Sequence, residues 1–597
     1  MVKRRRLPDD DDDGSARPAQ GREPTPKRRY FGKSHLLALP HELILRVLHF
    51  LPVQSLLTVS RVSRKLHTLA SDQQLWKTKF WTKFVLPRLQ RRARLSLPDS
   101  YGSREPEPEP GIVIDWKLWL EDHVLIQEER DLAALMPSSS SSNAPTPPKR
   151  HSTSTNGAPS PQQPGAKKPT LDWKAKFRLR SNWQRGVARS TELKLLNSIP
   201  KTVNKTPPIV GKFYEGYFFS ADTENGVRVF GRQGHSNELV ELARRPIVLG
   251  EPTCMSLEES LLNNTTRKRH ETRGIDFVVG YHNGSYAIYY FDPVSLRLRE
   301  KYLKHKFDDT DRIEIIAFHF PYLFIITRLN ELSILSFQNT AKREGDKDSD
   351  GRLPQIEPDV PFQPPTLVEI FSVDQSWIPS CLSIRKDPVS EKIIGTCVFT
   401  VRSIVVGTSI TVQEFHLSGD EPDLLEMQLA SPPLHEALDY VFFGRAAQLA
   451  FTAPTCVSYR YPFIMTSHAD NTLVLYNMFT NEEGKIEILS GHRLWGHNAS
   501  VMSVEVGLRK AVSLDRRGEI RFWDLQGRSE RPYGRDRSTR LIGSGDPLSL
   551  NIGGAHNFPK ERCTVGFGEE NVVIMERING SEKEDKAGFG LLVYDFT

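Results

Sequence analysis

From about residue 205 to residue 597 the chain is written in short, alternating apolar strings separated by turn signals, with little helical periodicity. One string states the repeating unit most fully: LWGHNASVMSVEVGLRKAVSLDRRGEIRFWDL, residues 494–525. Gly496-His497 opens it, Val501, Val504 and Val506 alternate, Ala511-Val512-Ser513 leads into a turn, and Trp523-Asp524 closes a strand. Weaker copies keep the turn-then-strand half. Asn225-Gly226 precedes Phe230 in 216–230, and Asn283-Gly284 precedes Tyr289 in 276–292. Asn330 stands ahead of Ser336 in 322–337, and Asp470 ahead of Tyr476 in 463–477. Further alternating strands lie at 392–415, 561–575 and 589–596, which brings the count to about seven units, with six or eight also compatible. The expectation is an all-β array of repeats over 205–597.

The front of the chain has a different grammar. In residues 37–80 Leu39-Pro40 opens a helix without wasting a donor. Leu43, Ile44, Val47, Leu48 and Leu51 then recur at amphipathic spacing until Pro52. A second short helix carries Leu56, Leu57 and Val59, a third carries Val62, Leu66 and Leu69, and the pair Leu75-Trp76 follows Asp72. Three short helices make a poor core for an independent domain, so much of this apolar surface is expected to meet a partner. The helical pattern continues through Trp81, Phe84, Val85 and Leu86.

The residues of 37–80, with LPxEL, the Val59-to-Arg64 segment and Leu75-Trp76, resemble an F-box, the helical module that docks cullin-based SCF ubiquitin ligases through a Skp-type adaptor. The resemblance implies an adaptor surface drawn from Leu39, Pro40, Leu43, Ile44, Val47, Leu48, Leu51, Leu56, Leu57 and Val62, with Trp76 closing its far end. Some of these must instead pack the helices together, and the sequence does not sort them. Residues 171–186, LDWKAKFRLRSNWQRG, are similar to the helical segment that joins an F-box to a WD-repeat propeller. Interleaved Trp173, Phe177 and Trp183 with basic neighbours also suit base stacking, a weaker reading here. Residues 494–525 resemble a WD repeat, in which His497, a strand serine (Ser503 or Ser513), Asp515 and Trp523 share a structural hydrogen-bond network rather than a catalytic triad. The whole therefore resembles fungal F-box/WD-repeat proteins, and the final Tyr594-Asp595-Phe596-Thr597 is expected to help close the ring.

The expected organisation is a charged tail at 1–34, the F-box at 35–86, a linker and helix at 87–136, a Ser/Pro-rich linker at 137–170, a support segment at 171–190 and the propeller at 205–597. Lys3 to Arg6 and Lys27 to Arg29 look like a bipartite nuclear-import signal, which fits a nuclear or cytoplasmic protein. Trp116, Trp119, Leu120 and Val124 share one face of a helix expected over 114–136, and 341–360 and 528–545 read as charged loops. If the repeats are aligned as above, His282, Arg328, His468, Arg516 and Arg517 fall on one rim of a propeller. Converging arginines suit a phosphorylated or acidic protein substrate, and scattered solvated charges are the plainer alternative.

No phosphate-cradling glycine loop, HExxH or metal-spaced histidine cluster is present, so neither cofactor nor metal is expected. Five well-separated cysteines fit reduced core thiols, no apolar run approaches a membrane span, and a net charge of +7 does not mark a nucleic-acid binder. Every recognisable part is an interaction part. The expectation is a non-catalytic receptor that holds a protein substrate beside catalytic subunits brought by adaptor and cullin. An F-box scaffold acting outside ubiquitination and a nuclear WD-repeat interaction protein are the rival readings.

Overall fold

A computed structural model describes residues 36, 39–86, 172–200, 209–232, 239–247, 249–259, 274–304, 311–338, 361–387, 392–403, 407–418, 423–433, 453–481, 483–489, 491–525, 538–544, 562–578 and 586–597. The basic clusters of the tail, the 114–136 segment, the Ser/Pro-rich linker and the 341–360 stretch lie outside the described residues. The described residues divide into two compact units, one holding the F-box-like stretch with residues 172–177, the other holding Arg178–Thr597.

The first unit is helical. Helices α1 (His41–Phe50), α2 (Val53–Val59), α3 (Arg64–Ala70) and α4 (Gln73–Phe80) run into a π-helical turn over Trp81–Val85. Each boundary has a local cause. Pro40 and Pro52 precede α1 and α2, the Ser63 hydroxyl accepts from Leu66 N at 3.2 Å, and the Asp72 carboxylate accepts from Leu75 N at 3.0 Å. The far end of α1 is capped from another helix: Lys79 Nζ donates to the carbonyls of His49 and Leu51 at 2.6 and 2.7 Å, where a cation suits the helix dipole. Trp173 and Phe177, from the start of α5 (Trp173–Arg185), complete this core. Phe177 packs on Trp76 and Phe84, and Trp173 on Phe80, with ring centroids 5.3–5.6 Å apart.

The second unit is a seven-bladed β-propeller. Blades 1 to 6 span 209–245, 252–304, 313–372, 377–430, 456–494 and 501–540, each an antiparallel sheet in chain order. Blade 7 takes 562–567, 571–578 and 586–595, and is completed by Val187–Pro200, which precedes blade 1 in the chain. This clasp strand pairs antiparallel with 586–595 and in parallel with Ile542–Ser544. The final Tyr594-Asp595 thus lies in the closing sheet, while the outer strands come from elsewhere. The propeller begins ahead of position 205, because the ring is closed by an N-terminal strand that carries no repeat signature. Two short strands, Ser538–Arg540 and Ile542–Ser544, also stand where a charged loop was expected.

Closure is visible in the contacts and the core. First strands touch in cyclic order from blade 1 to blade 7 and back to blade 1. Each pair of neighbouring blades shares its own apolar cluster, the last joining Leu195, Val573 and Leu591 to Phe213, Phe218 and Phe230. The Asn182-Trp183-x-x-Gly186 motif has a local reason within this unit. Trp183 stacks on Phe596 at 4.0 Å and donates to Glu569 O, and Asn182 donates to Phe596 O. Gly186 ends α5 with φ +67°, and a Cβ there would stand 1.9 Å from Arg540 O, so only glycine fits.

Candidate functional site

The first candidate surface is on the helical unit, and burial sorts the residues that the sequence left mixed. Helix α1 carries two apolar stripes. Ile44 and Leu48 are buried and Leu51 is half-buried, while Leu43, Val47 and Phe50, at i, i+4 and i+7, face solvent. Leu39, Pro40, Leu57 and Val62 are exposed as well, Val62 by 71 % and Phe50 by 78 %. Leu56 is buried beneath them. Trp76 is also corrected from surface to core: it is buried against Phe177, and its indole N–H donates to Ala70 O at 2.7 Å. Sequence reasoning overlooked Phe50, although its spacing from Leu43 places it on the same stripe.

The second candidate surface is the propeller end that carries the turns between second and third strands. His282, Arg328, His468, Arg516 and Arg517 all occupy such turns, in blades 2, 3, 5 and 6. The turns share one construction. In blades 1, 5 and 6 an aspartate accepts backbone N–H bonds from within the turn, Asp222 from Asn225, Asp470 from Thr472 and Asp515 from Arg517 and Glu519. A left-handed residue follows in each: Gly226, Asn471 and Gly518, with Gly284 and Asn330 in blades 2 and 3. That chemistry is what the Asn-Gly and Asp signals of the sequence encoded.

Four of the five residues, His282, Arg328, Arg516 and Arg517, are exposed. His468 differs. It is half-buried with Nε2 2.9 Å from Thr466 Oγ1, and burial pushes its imidazole below the usual value, opposed by Asp470 and reinforced by Arg493. It is therefore neutral at pH 7 and adds no positive charge to this end. His282 lines a cleft of about 440 Å³ with Leu249, Gly250, Glu251 and Asn283. The same end exposes Leu329, Trp495 and Met502, which the sequence reading missed. Trp and Arg together are the composition of interface anchors.

The polar network of blade 6 resolves to Ser513. His497 Nε2 lies 2.6 Å from Ser513 Oγ, which also accepts from Trp523 Nε1 at 2.7 Å, and Asp515 stands 3.4 Å from His497 Nδ1. Ser513 is fully buried, and its oxygen is spent holding the Trp523 strand to its own. Ser503 lies on the neighbouring first strand. His497, Asp515 and Glu519 present ligand-type atoms within 4.8 Å of one another, but Glu519 is already paired with Arg521 at 2.7 Å.

At the opposite end of the propeller, just past the first strand of blade 2, Glu259 is buried and accepts from the Ser383 hydroxyl. Burial pushes its carboxyl up to about 7, against the pull of Ser383, Ile384 N–H, Arg460 and Lys212. The folded state therefore holds a proton that the unfolded chain releases near pH 4.5. Stability should fall as pH rises between about 4.5 and 7, and Glu259→Gln should flatten this slope in urea melts of the protein. An unchanged slope would remove Glu259 as its cause.

The aromatics of the basic 173–185 stretch offer no base-stacking platform: Trp173, Phe177 and Trp183 are all buried. Among the described residues, no helix is long and apolar enough to cross a membrane.

Comparison with known proteins agrees with both units. Residues 36–81 match the F-box-like family model, and residues 196–597 match the model described as the F-box protein pof12 beta-propeller. No curated protein sequence matches the chain. Among solved structures, Kluyveromyces lactis Hsv2 is similar over 65 % of this chain and 98 % of its own, with 10 % identity and a TM-score of 0.32.

Proposed function

Because the chain belongs to the F-box protein pof12 beta-propeller family and carries an F-box-like unit, we propose that it is a non-catalytic substrate receptor of an SCF-type ubiquitin ligase. The observation that carries this reading is the uncovered apolar face of Leu39, Pro40, Leu43, Val47, Phe50, Leu57 and Val62 on a unit too small to leave it bare at no cost. That face takes a Skp-type adaptor and through it a cullin. The blades read as degenerate WD repeats, a reading supported by the His497–Ser513–Trp523 network. The turn end bearing Arg328, Arg516, Arg517 and Trp495 receives a protein substrate, the arginines favouring an acidic or phosphorylated segment. The chain supplies effective concentration, and ubiquitin transfer belongs to its partners. The tail's basic clusters support a nuclear or cytoplasmic site of action.

The test is affinity capture from cells expressing the full chain, a variant lacking 37–80, and Arg328→Glu/Arg516→Glu/Arg517→Glu. The full chain should retain adaptor, cullin and substrates, the deletion should lose adaptor and cullin, and the triple variant should lose substrates alone. Retained adaptor without cullin would make this an F-box scaffold outside ubiquitination. Unchanged substrate capture by the triple variant would move the substrate site elsewhere.

A further inference from the structure

A propeller exposes the outermost strand of every blade, and most blades here blunt that edge. Blade 1 ends on Leu239–Arg245, which carries Arg244 and Arg245, and blade 2 on Arg297–Lys304, which carries charges at five of its eight positions. The outer strand of blade 5 is broken into Ile486–Ile488 and His492–Leu494, and that of blade 6 is three residues long. Blade 7 is covered by the clasp and by 542–544. Charge, brevity and covering are the usual defences against strand pairing between molecules.

Among the described residues blade 4 has neither the break nor the cover, and the single charge on its edge is Glu426. Its outer strand, Leu424–Ala430, reads LLEMQLA, without lysine, arginine or proline, and Leu425, Met427 and Leu429 are 52, 48 and 57 % exposed. The strand is also anchored on its other face by one side chain. Gln428 Oε1 accepts from Ile486 N at 2.9 Å and its Nε2 donates to Gly484 O at 3.0 Å. Gln428 is thus engaged with blade 5, while Glu426 and the apolar row of Leu425, Met427 and Leu429 are exposed.

The strand is self-complementary. Run antiparallel about Met427, it sets Leu425 against Leu429 and Glu426 against Gln428, and run about Gln428 it sets Met427 against Leu429. Neither register opposes like charges. Blade 3, whose edge Thr366–Ser372 also exposes Leu367 and Ile370, has Glu369 at its centre, so that only its fully overlapping register brings like charges together. We propose that the outer strand of blade 4 is a homodimerisation edge, where a second copy of this chain pairs antiparallel about a two-fold axis and continues the sheet. Two identical patches meeting across a dyad form a closed, isologous interface, and one strand per partner makes it small and its association weak.

The experiment is sedimentation velocity of the full chain across a wide range of protein concentration, done also in a Leu43→Asp/Val62→Asp background that removes the apolar face of the helical unit. Both should show reversible dimers. Leu425→Lys/Met427→Lys/Leu429→Lys should weaken dimerisation more than tenfold with an unchanged thermal melt, since the side chains are exposed. Met427→Cys should give a dimer-specific cross-link with a short bismaleimide. A chain monomeric throughout, or a dimer lost only in the Leu43→Asp/Val62→Asp background, would overturn the proposal. So would a triple-lysine variant that dimerises normally, or one that melts lower while the wild type is monomeric, since residues of the same chain would then cover the edge.

Discussion

Replacing Leu43 or Val62 by aspartate is expected to abolish capture of a Skp-type adaptor while leaving the helical unit folded. Both side chains stand in solvent in the free chain, so a charge there costs little before binding. On binding, the carboxylate would be buried without a partner, which costs more than the lost apolar contact alone. A central interface residue changed in this way should lose about 3 kcal/mol or more, roughly a hundredfold in affinity. Leu48→Asp is the control of opposite character: Leu48 is buried, so its variant should lower the melting temperature as well as capture. Calorimetric titration with purified adaptor, paired with circular dichroism, separates the two. Full affinity in Leu43→Asp would show that the exposed stripe is not the docking face.

A chain that starts at residue 201 should fail to hold a closed propeller, whereas one that starts at residue 172 should melt sharply. The 187–200 strand carries no repeat signature, yet it is paired along 586–595 for most of its length. Leu195 sits in the cluster that joins blade 7 to blade 1, and its carbonyl accepts from Arg228, which is itself ion-paired with buried Asp222 at 2.8 Å. Removing the clasp therefore strips a long ladder, opens a core cluster and leaves Arg228 short of a partner. At about 1 kcal/mol net for each ladder hydrogen bond, the loss rivals the 5–15 kcal/mol net stability of an ordinary domain. The freed edge of 586–595 should also aggregate. Thermal melts and light scattering report both effects. Equal melting temperatures for the two chains would mean that the ring does not depend on this strand.

The two units differ in how much of them could be read in advance. Local chemistry wrote itself into the sequence wherever one residue type is needed at one place. Pro40 and Pro52 announce helix starts, and Asp515 and Gly518 mark a turn that needs an acceptor and a left-handed residue. Gly186 is required by a backbone approach that admits no Cβ. The His497 network was legible as a set, but its serine was not, because Ser503 and Ser513 both lie on strands and only the pairing of strands brings Ser513 beneath Trp523.

By itself the sequence determined the F-box-like unit, the repeated all-β architecture and the turns that carry His282, Arg328, Arg516 and Arg517, since each depends on neighbours a few residues away. Tertiary structure alone decided which apolar side chains are surface. Ile44 and Leu43 are adjacent and equally apolar, yet one is core and the other is exposed, because burial depends on what α3 and α4 place against each stripe of α1. Ring closure was decided in the same way, by pairing between residues about 400 positions apart, such as Thr191 with Val593. A strand's partner is chosen by free energy summed over the whole ring, and no local pattern records that choice.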